Sequence, residues 1–299
     1  MEVIFLGTSE ATPTAKRSQL AMLLKYKNEN ILIDCGEGTQ RQFKIARISP
    51  MSITRILISH WHGDHILGLP GLLQTFTLNN YSKTLKIYGP KGTKRFMDLL
   101  LKIFIFKQRI KTEVHEINRD GKIIDAKDFY IEAYKMKHFI PCLAYRFIEK
   151  DKRRIDINFI KKLGMRPGPL LGKLQQGKSI TFKGRRIRAR DATKIKKGRK
   201  IAFIVDTLFN KNCIKVAKDT DLLVSESTFL ESMHLDKAKE RGHLTAKQAA
   251  TIAKKARSKR LILIHLSQRY AKDPRPVLNE AKKVFKKSEL AEDFMRIKL

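Results

Sequence analysis

The sequence predicts an α/β fold in which two β-sheets lie face to face with helices on their outer sides, an αββα sandwich. Short apolar segments typical of strands occur in two blocks, and segments with helical periodicity follow each block. Histidines and aspartates end or follow several of these strands, which indicates a site built at strand ends. The 299 residues are enough for one large domain or two medium ones, and length alone does not decide between them. We expect a single domain over residues 1–299.

Four strands are predicted in the first block, because β-branched and aromatic residues stand there between polar clusters. They lie at residues 1–6, 20–26, 30–34 and 53–60. The glycine turn "CGEGTQ" opens a helix between the third and the fourth strand. Helical periodicity predicts two further helices, at residues 67–77 and 93–106.

The second block begins with short strands in residues 121–146. Residues 148–179 then change character, since prolines and glycines mix with few apolar residues, and they read as an excursion from the main body. Strands resume in "ITFKGRRIRARDA", "RKIAFIVD", "DTDLLVSEST" and "RLILIHLS". The amphipathic helix "TAKQAATIAKKAR" precedes the last of them.

The net charge is strongly positive, with 63 Lys and Arg against 29 Asp and Glu, a formal +34. One sign dominates, whereas a surface that serves only solubility mixes both signs. The imbalance therefore favours a polyanionic partner, and nucleic acid over an anionic membrane.

The sequence signals favour the cytoplasm. Cys35, Cys142 and Cys213 are odd in number and widely spaced, so they form neither a disulfide framework nor a CxxC pair. No stretch approaches the length of a membrane span, and the N-terminus lacks the apolar segment of a signal peptide. We expect a soluble cytoplasmic protein with no membrane partner.

The segment "ISHWHGDHILGLPGLL" concentrates side chains that bind metals. His60 and His62 are spaced i,i+2 and so point to the same side of an extended segment. Asp64 and His65 come from the following turn, which can fold back to the same cavity. Neutral imidazoles and a carboxylate suit Zn²⁺ or a similar borderline cation, and this motif predicts such a site.

The six residues from His60 to His65 supply too few donors to complete two metal sites. Further donors are therefore expected at other strand ends. His138, Asp206 and His265 each end or follow a predicted strand, and Asp34 does so too. With the histidine motif, these residues resemble the motif set of the metallo-β-lactamase fold. Eight segments resemble, in order and from end to end, the motifs of the ribonuclease Z (tRNase Z) family: "FLGTSEATPT", "LIDCGEGTQRQ", "SHWHGDHILGLPGLL", "KHFIPCLAYRF", "PGPLLGKLQQGKSI", "RKIAFIVDT", "GHLTAKQAA" and "ILIHLSQRY".

The resemblance implies a metallo-β-lactamase αββα sandwich with a di-zinc centre, two Zn²⁺ per subunit. It assigns one ion to His60, His62 and His138, the other to Asp64, His65 and His265, and a bridging role to Asp206. A hydroxide held by the two ions would attack the phosphorus of a precursor tRNA. The products would be a tRNA with a 3′-hydroxyl and a 3′ trailer with a 5′-phosphate.

The resemblance also implies roles beside the metal ligands. Asp64 would orient or deprotonate the attacking water. Asp34 would hydrogen-bond a ligand imidazole and fix its tautomer, or else cap a buried turn. His243 matches the family's H-S-T loop and would protonate the departing 3′-oxygen; the alternative is packing at a helix N-terminus with Thr245 as the cap. Glu226 would orient His243.

Two positions depart from the family's pattern. Val205 stands where the family has glycine before the bridging aspartate, and Leu244 replaces the serine of H-S-T. Neither departure removes a ligand. Leu244 argues against a serine contact, and Val205 is expected to alter the turn that presents Asp206.

Residues 148–179 correspond to the insert that forms a flexible tRNA-gripping arm in this family. The residues predicted to contact RNA are Arg166, Pro167, Gly168, Pro169 and Lys173, with a solvated basic loop as the alternative. The same insert contains "GKLQQGKS", which satisfies the P-loop pattern. A P-loop needs a buried strand before it and a helix after it, and neither is predicted, so we expect no nucleotide cofactor.

Other functions are weighed against this hypothesis. A metallo-β-lactamase-fold hydrolase of small esters, lactones or thioesters would not need the basic charge. Exonucleases and polyadenylation-type nucleases of the fold carry a further large domain, for which this chain has little room. A non-catalytic RNA-binding module would not need seven metal ligands. The resemblance also suggests a homodimer in which the arm of one subunit presents precursor tRNA to the active site of the other.

Overall fold

The computed structural model describes residues 1–105 and 109–299 and contains two seven-stranded sheets. The first sheet has the strand order β18-β1-β2-β3-β4-β5-β6. Its strands are β1 (Glu2–Gly7), β2 (Ala21–Tyr26), β3 (Glu29–Ile33), β4 (Arg55–Leu57), β5 (Thr84–Pro90), β6 (Lys111–Ile117) and β18 (Arg296–Lys298). Strands β3 to β6 pair in parallel, so their carboxyl ends share one edge of the sheet.

The second sheet has the order β17-β16-β15-β14-β9-β8-β7. Its strands are β7 (Gly121–Asp125), β8 (Phe129–Met136), β9 (Cys142–Glu149), β14 (Lys200–Ile204), β15 (Leu222–Glu226), β16 (Leu261–Ile264) and β17 (Ser288–Leu290). The hydroxyl of Tyr145 in this sheet donates to the carbonyl of Ile58 at the end of β4, at 2.6 Å. The rings of Tyr26 and Phe147 meet edge to face at 5.1 Å, so the two sheets face each other.

Helices cover the outer faces, which confirms the predicted αββα class. Beside the first sheet lie α1 (Thr39–Ile45), α2 (Gly63–Ile66), α3 (Leu69–Leu78) and α4 (Thr93–Ile103). Beside the second lie α8 (Lys211–Ala217), α9 (Glu231–Arg241), α10 (Ala246–Lys255) and α11 (Arg275–Val284). Short 3-10 turns occupy Pro50–Ser52 and Gln268–Tyr270. Each sheet shares a buried apolar cluster with its helices, around Phe76 in the first layer and Val277 in the second.

Several predicted boundaries differ from the structure. The strand expected at residues 53–60 is only Arg55–Leu57, and the helix expected at 67–77 begins two residues later, at Leu69. The helix expected at 93–106 is α4 and ends at Ile103, while its last predicted residue, Phe106, lies outside the described residues. Apolar periodicity shows which residues face the core but not where backbone hydrogen bonding stops, so it locates elements better than their ends.

Residues 126–130 and 148–199 form a second compact unit with its own small core. Its elements are β10 (Lys152–Ile155), α5 (Ile157–Lys162), α6 (Pro169–Gln175), β11 (Ile180–Phe182), β12 (Arg185–Ile187), α7 (Ala189–Ala192) and β13 (Thr193–Lys196). Ile160, Met165, Leu174, Ile180 and Ile187 are buried together. The strands of "ITFKGRRIRARDA", expected to return to the main body, therefore lie in this unit, which continues to Arg199.

Across the part of the chain that the structure covers, no helix combines the length and the apolar character needed to cross a bilayer.

Candidate metal centre

The histidine motif lies at the carboxyl end of β4. Residues 58–62 continue beyond the strand, and His62, whose backbone is extended, is the residue before α2. Asp64 and His65 come from the single turn of α2, where the sequence predicted an irregular turn. His60, Asp64 and His65 are buried, and His62 is partly exposed.

The single donors follow strands of the second sheet. His138 lies two residues after β8, Asp206 two residues after β14, and His265 directly after β16. His265 has a left-handed backbone with φ of 59°, and its amide donates to the carbonyl of Thr8 in the loop after β1, at 3.0 Å. The second sheet thus completes a cluster that the motif alone could not complete.

The structure brings the seven predicted ligands together in two overlapping groups. One group contains His60, His62, His138 and Asp206, and the other contains Asp64, His65, His265 and the same Asp206. Within each group, one nitrogen or oxygen atom of every side chain lies within 4.8 Å of all the others. Asp206 is shared, as the resemblance implies for a bridging ligand.

These groups fit metal cations. His65 Nε2 and Asp206 Oδ1 are buried without a hydrogen-bond partner, and they lie 3.5 Å apart. Nitrogens of His60 and His138 approach Nδ1 of His62 to 3.1 and 3.3 Å, so three imidazoles converge on one point. Buried polar atoms without partners are costly in a folded protein, and a cation at each group would satisfy them.

The electrostatics of the cluster also suit cations. Burial, with a contribution from His65, lowers the pKa of His60 well below its usual value, which favours the neutral imidazole that binds metals. Burial acts on His65 in the same direction, but Asp206 and Asp64 outweigh it and raise the pKa of His65 well above its usual value. The carboxylates thus give the cavity a negative potential.

A second layer of hydrogen bonds holds the histidines in place. Asp34 accepts from the Ser59 amide and hydroxyl, each at 2.7 Å, and its Oδ2 lies 2.8 Å from His65 Nδ1. This contact directs Nε2 of His65 into the cluster. Thr228 Oγ1 lies 2.9 Å from Nδ1 of His265, and the Gly242 carbonyl lies 3.0 Å from Nδ1 of His138.

Sequence reasoning missed Ser59, Thr228 and Gly242 as members of the site. Ser59 and Gly242 each precede a predicted site histidine, and Thr228 lies two residues after Glu226. Position next to a site residue was therefore the available signal. A serine, a threonine and a glycine carbonyl carry no metal-binding signature of their own, and only their contacts reveal their place.

The buried Glu226 and the partly buried His243 form a pair beside Asp206. Nδ1 of His243 lies 3.2 Å from Glu226 Oε2 and 3.7 Å from Asp206 Oδ2. Burial alone would lower the pKa of His243, but Glu226 and Asp206 raise it to about 9. Glu226 also accepts from the Thr207 amide at 2.7 Å and from the Thr228 hydroxyl at 2.6 Å, so its carboxylate is fixed.

The two positions that depart from the family pattern are buried. Leu244 is fully buried in the apolar cluster of the second layer, and Val205 is almost fully buried after β14. Thr245 caps α10 in a capping box with Gln248, so the helix cap and the placement of His243 occur in the same segment.

The residues predicted to contact RNA lie in the second unit. Arg166, Pro167 and Gly168 form an exposed turn that leads into α6. Pro169, the first residue of that helix, and Lys173 are also exposed. The P-loop-like segment "GKLQQGKS" forms the end of α6 and the turn into β11. This helix–turn–strand order is the reverse of the strand–loop–helix order of a P-loop.

Comparisons with known proteins place the chain in a family. A family model described as anti-Pycsar protein Apyc1 matches residues 1–142. Ribonuclease Z from Methanothermobacter thermautotrophicus is 40% identical over 300 residues, covering 100% of this chain and 97% of that protein. The crystal structure of human tRNase Z, short form, superposes with a TM-score of 0.73 at 31% identity, covering 100% and 99% of the two chains.

The fold has a second solved counterpart at lower identity. The metallo-β-lactamase fold protein YhfI from Bacillus subtilis has a TM-score of 0.70 and 21% identity, covering 99% of this chain and 98% of that one. This likeness concerns the fold alone. With the full-length similarity to ribonuclease Z, it leads to one conclusion: the chain has a metallo-β-lactamase fold and belongs to the ribonuclease Z family.

Proposed function

We propose that this protein is a zinc-dependent endoribonuclease that removes the 3′ trailer from precursor tRNA. The observation that carries the proposal is the double cluster around Asp206 together with the adjacent His243–Glu226 pair. A binding module has no use for seven converging ligands. Membership of the ribonuclease Z family and the net charge of +34 supply the substrate class.

The residues would hold two Zn²⁺, one in each group, with Asp206 between them. When bound, such a pair supplies Lewis acidity and lowers the pKa of water enough for attack at neutral pH. Asp64, next to His265 at 3.3 Å, would orient the attacking water by accepting its hydrogen bond. The new bond forms between the water oxygen and phosphorus, and the bond from phosphorus to the tRNA 3′-oxygen breaks.

His243 would supply the proton that the departing 3′-oxygen needs. Glu226 holds Nδ1 of His243, which leaves Nε2 as the donor to the leaving group. Burial lowers the pKa of His243, but the Glu226 and Asp206 carboxylates raise it, which favours the protonated ring that this role needs. The products are a tRNA 3′-hydroxyl and a trailer 5′-phosphate.

The second unit would bind precursor tRNA outside the cleavage site. It carries 19 Lys and Arg against five Asp and Glu within residues 126–130 and 148–199. We propose that the segment Arg166–Pro169 and Lys173 contact the RNA. We also propose that the protein is a homodimer and that it is located in the cytoplasm. Light scattering of the purified protein tests the dimer, and a monomer at micromolar concentration would exclude it.

The decisive experiment incubates the protein with an end-labelled precursor tRNA and maps the cut and its end groups, with and without chelator. We expect cleavage at the trailer junction, abolished by chelation. Asp64→Ala should lower the rate by about 10²- to 10⁴-fold with little change in precursor binding. The exposed Asp98→Ala on α4 is the matched control and should cleave normally. Normal cleavage by Asp64→Ala would refute the mechanism.

A further inference from the structure

A separate cavity of about 270 Å³ opens at the same edge of the first sheet as the metal centre. Pro90, the last residue of β5, and Lys91 line it, and Asn118 lines it just after β6. These strands run parallel to β4, whose carboxyl end leads to His60. Neighbouring strands are about 4.8 Å apart, so this wall begins within roughly 10 Å of the end of β4.

The opposite wall comes from the segment that carries a predicted metal ligand. Lys135 and Met136 at the end of β8 and Pro141 before β9 line the cavity, and His138 lies between them in sequence. Cys142, which also lines it, has its Sγ 3.2 Å from the carbonyl of Asp206. The cavity and the metal centre therefore share the turn between β8 and β9.

The lining combines the chemistry of a nucleotide site. Pro90 and Met136 are buried and apolar, which suits the face of a base. Lys91, Lys135 and Asn118 are exposed at the mouth. Two ammonium groups suit a phosphate, and an amide can both donate to and accept from a base edge. At about 270 Å³, the volume lies just below the range of about 300–1,000 Å³ that is usual for small-molecule sites, and it suits a single base.

The walls of the cavity are fixed before any ligand binds. Asp120 accepts from the Lys135 amide at 2.8 Å and from the Asn212 side chain at 3.0 Å. Asn212 also donates to the Lys135 carbonyl at 2.9 Å, so the loop after β6 is held against the end of β8. The nearby Glu116 carboxylate accepts from the Gly92 and Lys94 amides. A preformed pocket loses little entropy on binding.

We propose that this pocket binds one nucleotide of the single-stranded 3′ trailer. The assignment rests on the proposed function, which places the cleaved phosphodiester at the metal centre on the same edge. Unpaired bases can turn out of their strand into a pocket, whereas bases of the acceptor stem are paired. The trailer is the single-stranded part of the substrate next to the cut.

Trailer recognition is tested by pairing a pocket variant with substrates that lack one base. The variant is Lys91→Ala with Asn118→Ala, and the matched control is Lys111→Ala, an exposed lysine at the opposite end of β6. In the wild type and the control, an abasic site at one trailer position should raise KM about threefold to tenfold without changing kcat. The pocket variant should show the raised KM already with the intact trailer. An abasic effect of equal size in the pocket variant would overturn the proposal.

A second measurement keeps this proposal separate from the proposed function. A fluorescent pentaribonucleotide is titrated into the metal-loaded protein, and its binding is measured without following cleavage. The pocket variant should bind at least threefold more weakly than the wild type and Lys111→Ala, and equal binding would refute the pocket. If a 5′-mononucleotide competes but no trailer base affects KM, the pocket takes free nucleotides and the trailer assignment is wrong. Failure to cleave any precursor would refute the proposed function alone.

Discussion

Gly242 shows how one backbone position can act on the metal centre. It ends α9 in a left-handed conformation with φ of 73°, and its carbonyl lies 3.0 Å from Nδ1 of His138. A Cβ at this position would lie 2.8 Å from the same nitrogen and 3.0 Å from the ring of Phe139. Glycine is therefore required both by the backbone conformation and by the approach of the imidazole.

We predict that Gly242→Ala weakens metal binding by about 10- to 100-fold, because His138 must move away from the carbonyl that orients it. Gly38→Ala is the matched control, since Gly38 has φ of 75° and a Cβ there would contact nothing within 4 Å. Both variants place alanine in a left-handed conformation, which costs about 1–2 kcal/mol. Thermal melts show whether the two variants are destabilised equally. Metal affinity is measured by competition with a chromophoric chelator, and equal affinities in the two variants would argue against this role.

At the scale of elements, the sequence located the strands that lead to Asp206 and His265, because local apolar runs mark them. Asp206 and His265 each follow an apolar run, β14 and β16, whose side chains are almost all buried. Helix α9 was not predicted, because among its residues only Ala238 is buried. It is held by tertiary contacts, since Glu280 accepts from the Glu231 amide at its start. No periodicity in the sequence reveals such a contact.

The second unit escaped prediction for a related reason. Its core joins residues far apart in sequence, and the pair Ile180 and Ile187 meets only when β11 and β12 form a hairpin. Lys183 and Gly184 allow the tight turn, with φ of 48° and 71°. Each contributing segment has too few apolar residues to indicate a core, so the sequence predicted an excursion without one.

The lysines and arginines of the second unit differ in whether an acidic side chain of that unit pairs with them. Each of its acidic residues pairs with a cation, for example Asp156 with Lys194 at 2.7 Å. Arg166 and Lys173 have no such carboxylate partner within residues 126–130 and 148–199. Cations already neutralised by a neighbour contribute less to phosphate binding than those that are not.

We therefore predict that Arg166→Ala with Lys173→Ala raises KM for precursor tRNA and lowers its salt dependence. The slope of log KM against log salt should fall by about one for each RNA phosphate that the variant no longer neutralises. Lys194→Ala removes a paired charge and should have a smaller effect on both quantities. Hydrolysis of a minimal phosphodiester should be unchanged in all variants. Loss of activity on the minimal substrate would show that the effect is not on RNA binding.

For the whole molecule, the metal centre is a place where buried polar groups of the two sheets meet. The first sheet supplies His60, His62, Asp64 and His65, and the second supplies the other three predicted ligands. Without a cation, buried atoms such as His65 Nε2 and Asp206 Oδ1 have no partner. Cations that bind the folded state but not the unfolded chain stabilise the fold through linkage.

Metal removal should accordingly destabilise the protein. At metal concentrations 100 to 1,000 times Kd, linkage contributes about 2.7–4.1 kcal/mol. A change of 1 kcal/mol shifts Tm by roughly 2–4 °C in a domain of 150–250 residues, so chelation should lower Tm by about 5–15 °C. Calorimetry with and without added Zn²⁺ measures the shift. His62→Ala removes a partly exposed ligand from one group only and should retain a reduced shift. A wild-type Tm that chelator leaves unchanged would mean that no cation joins the sheets, and the proposed metal centre would then be wrong.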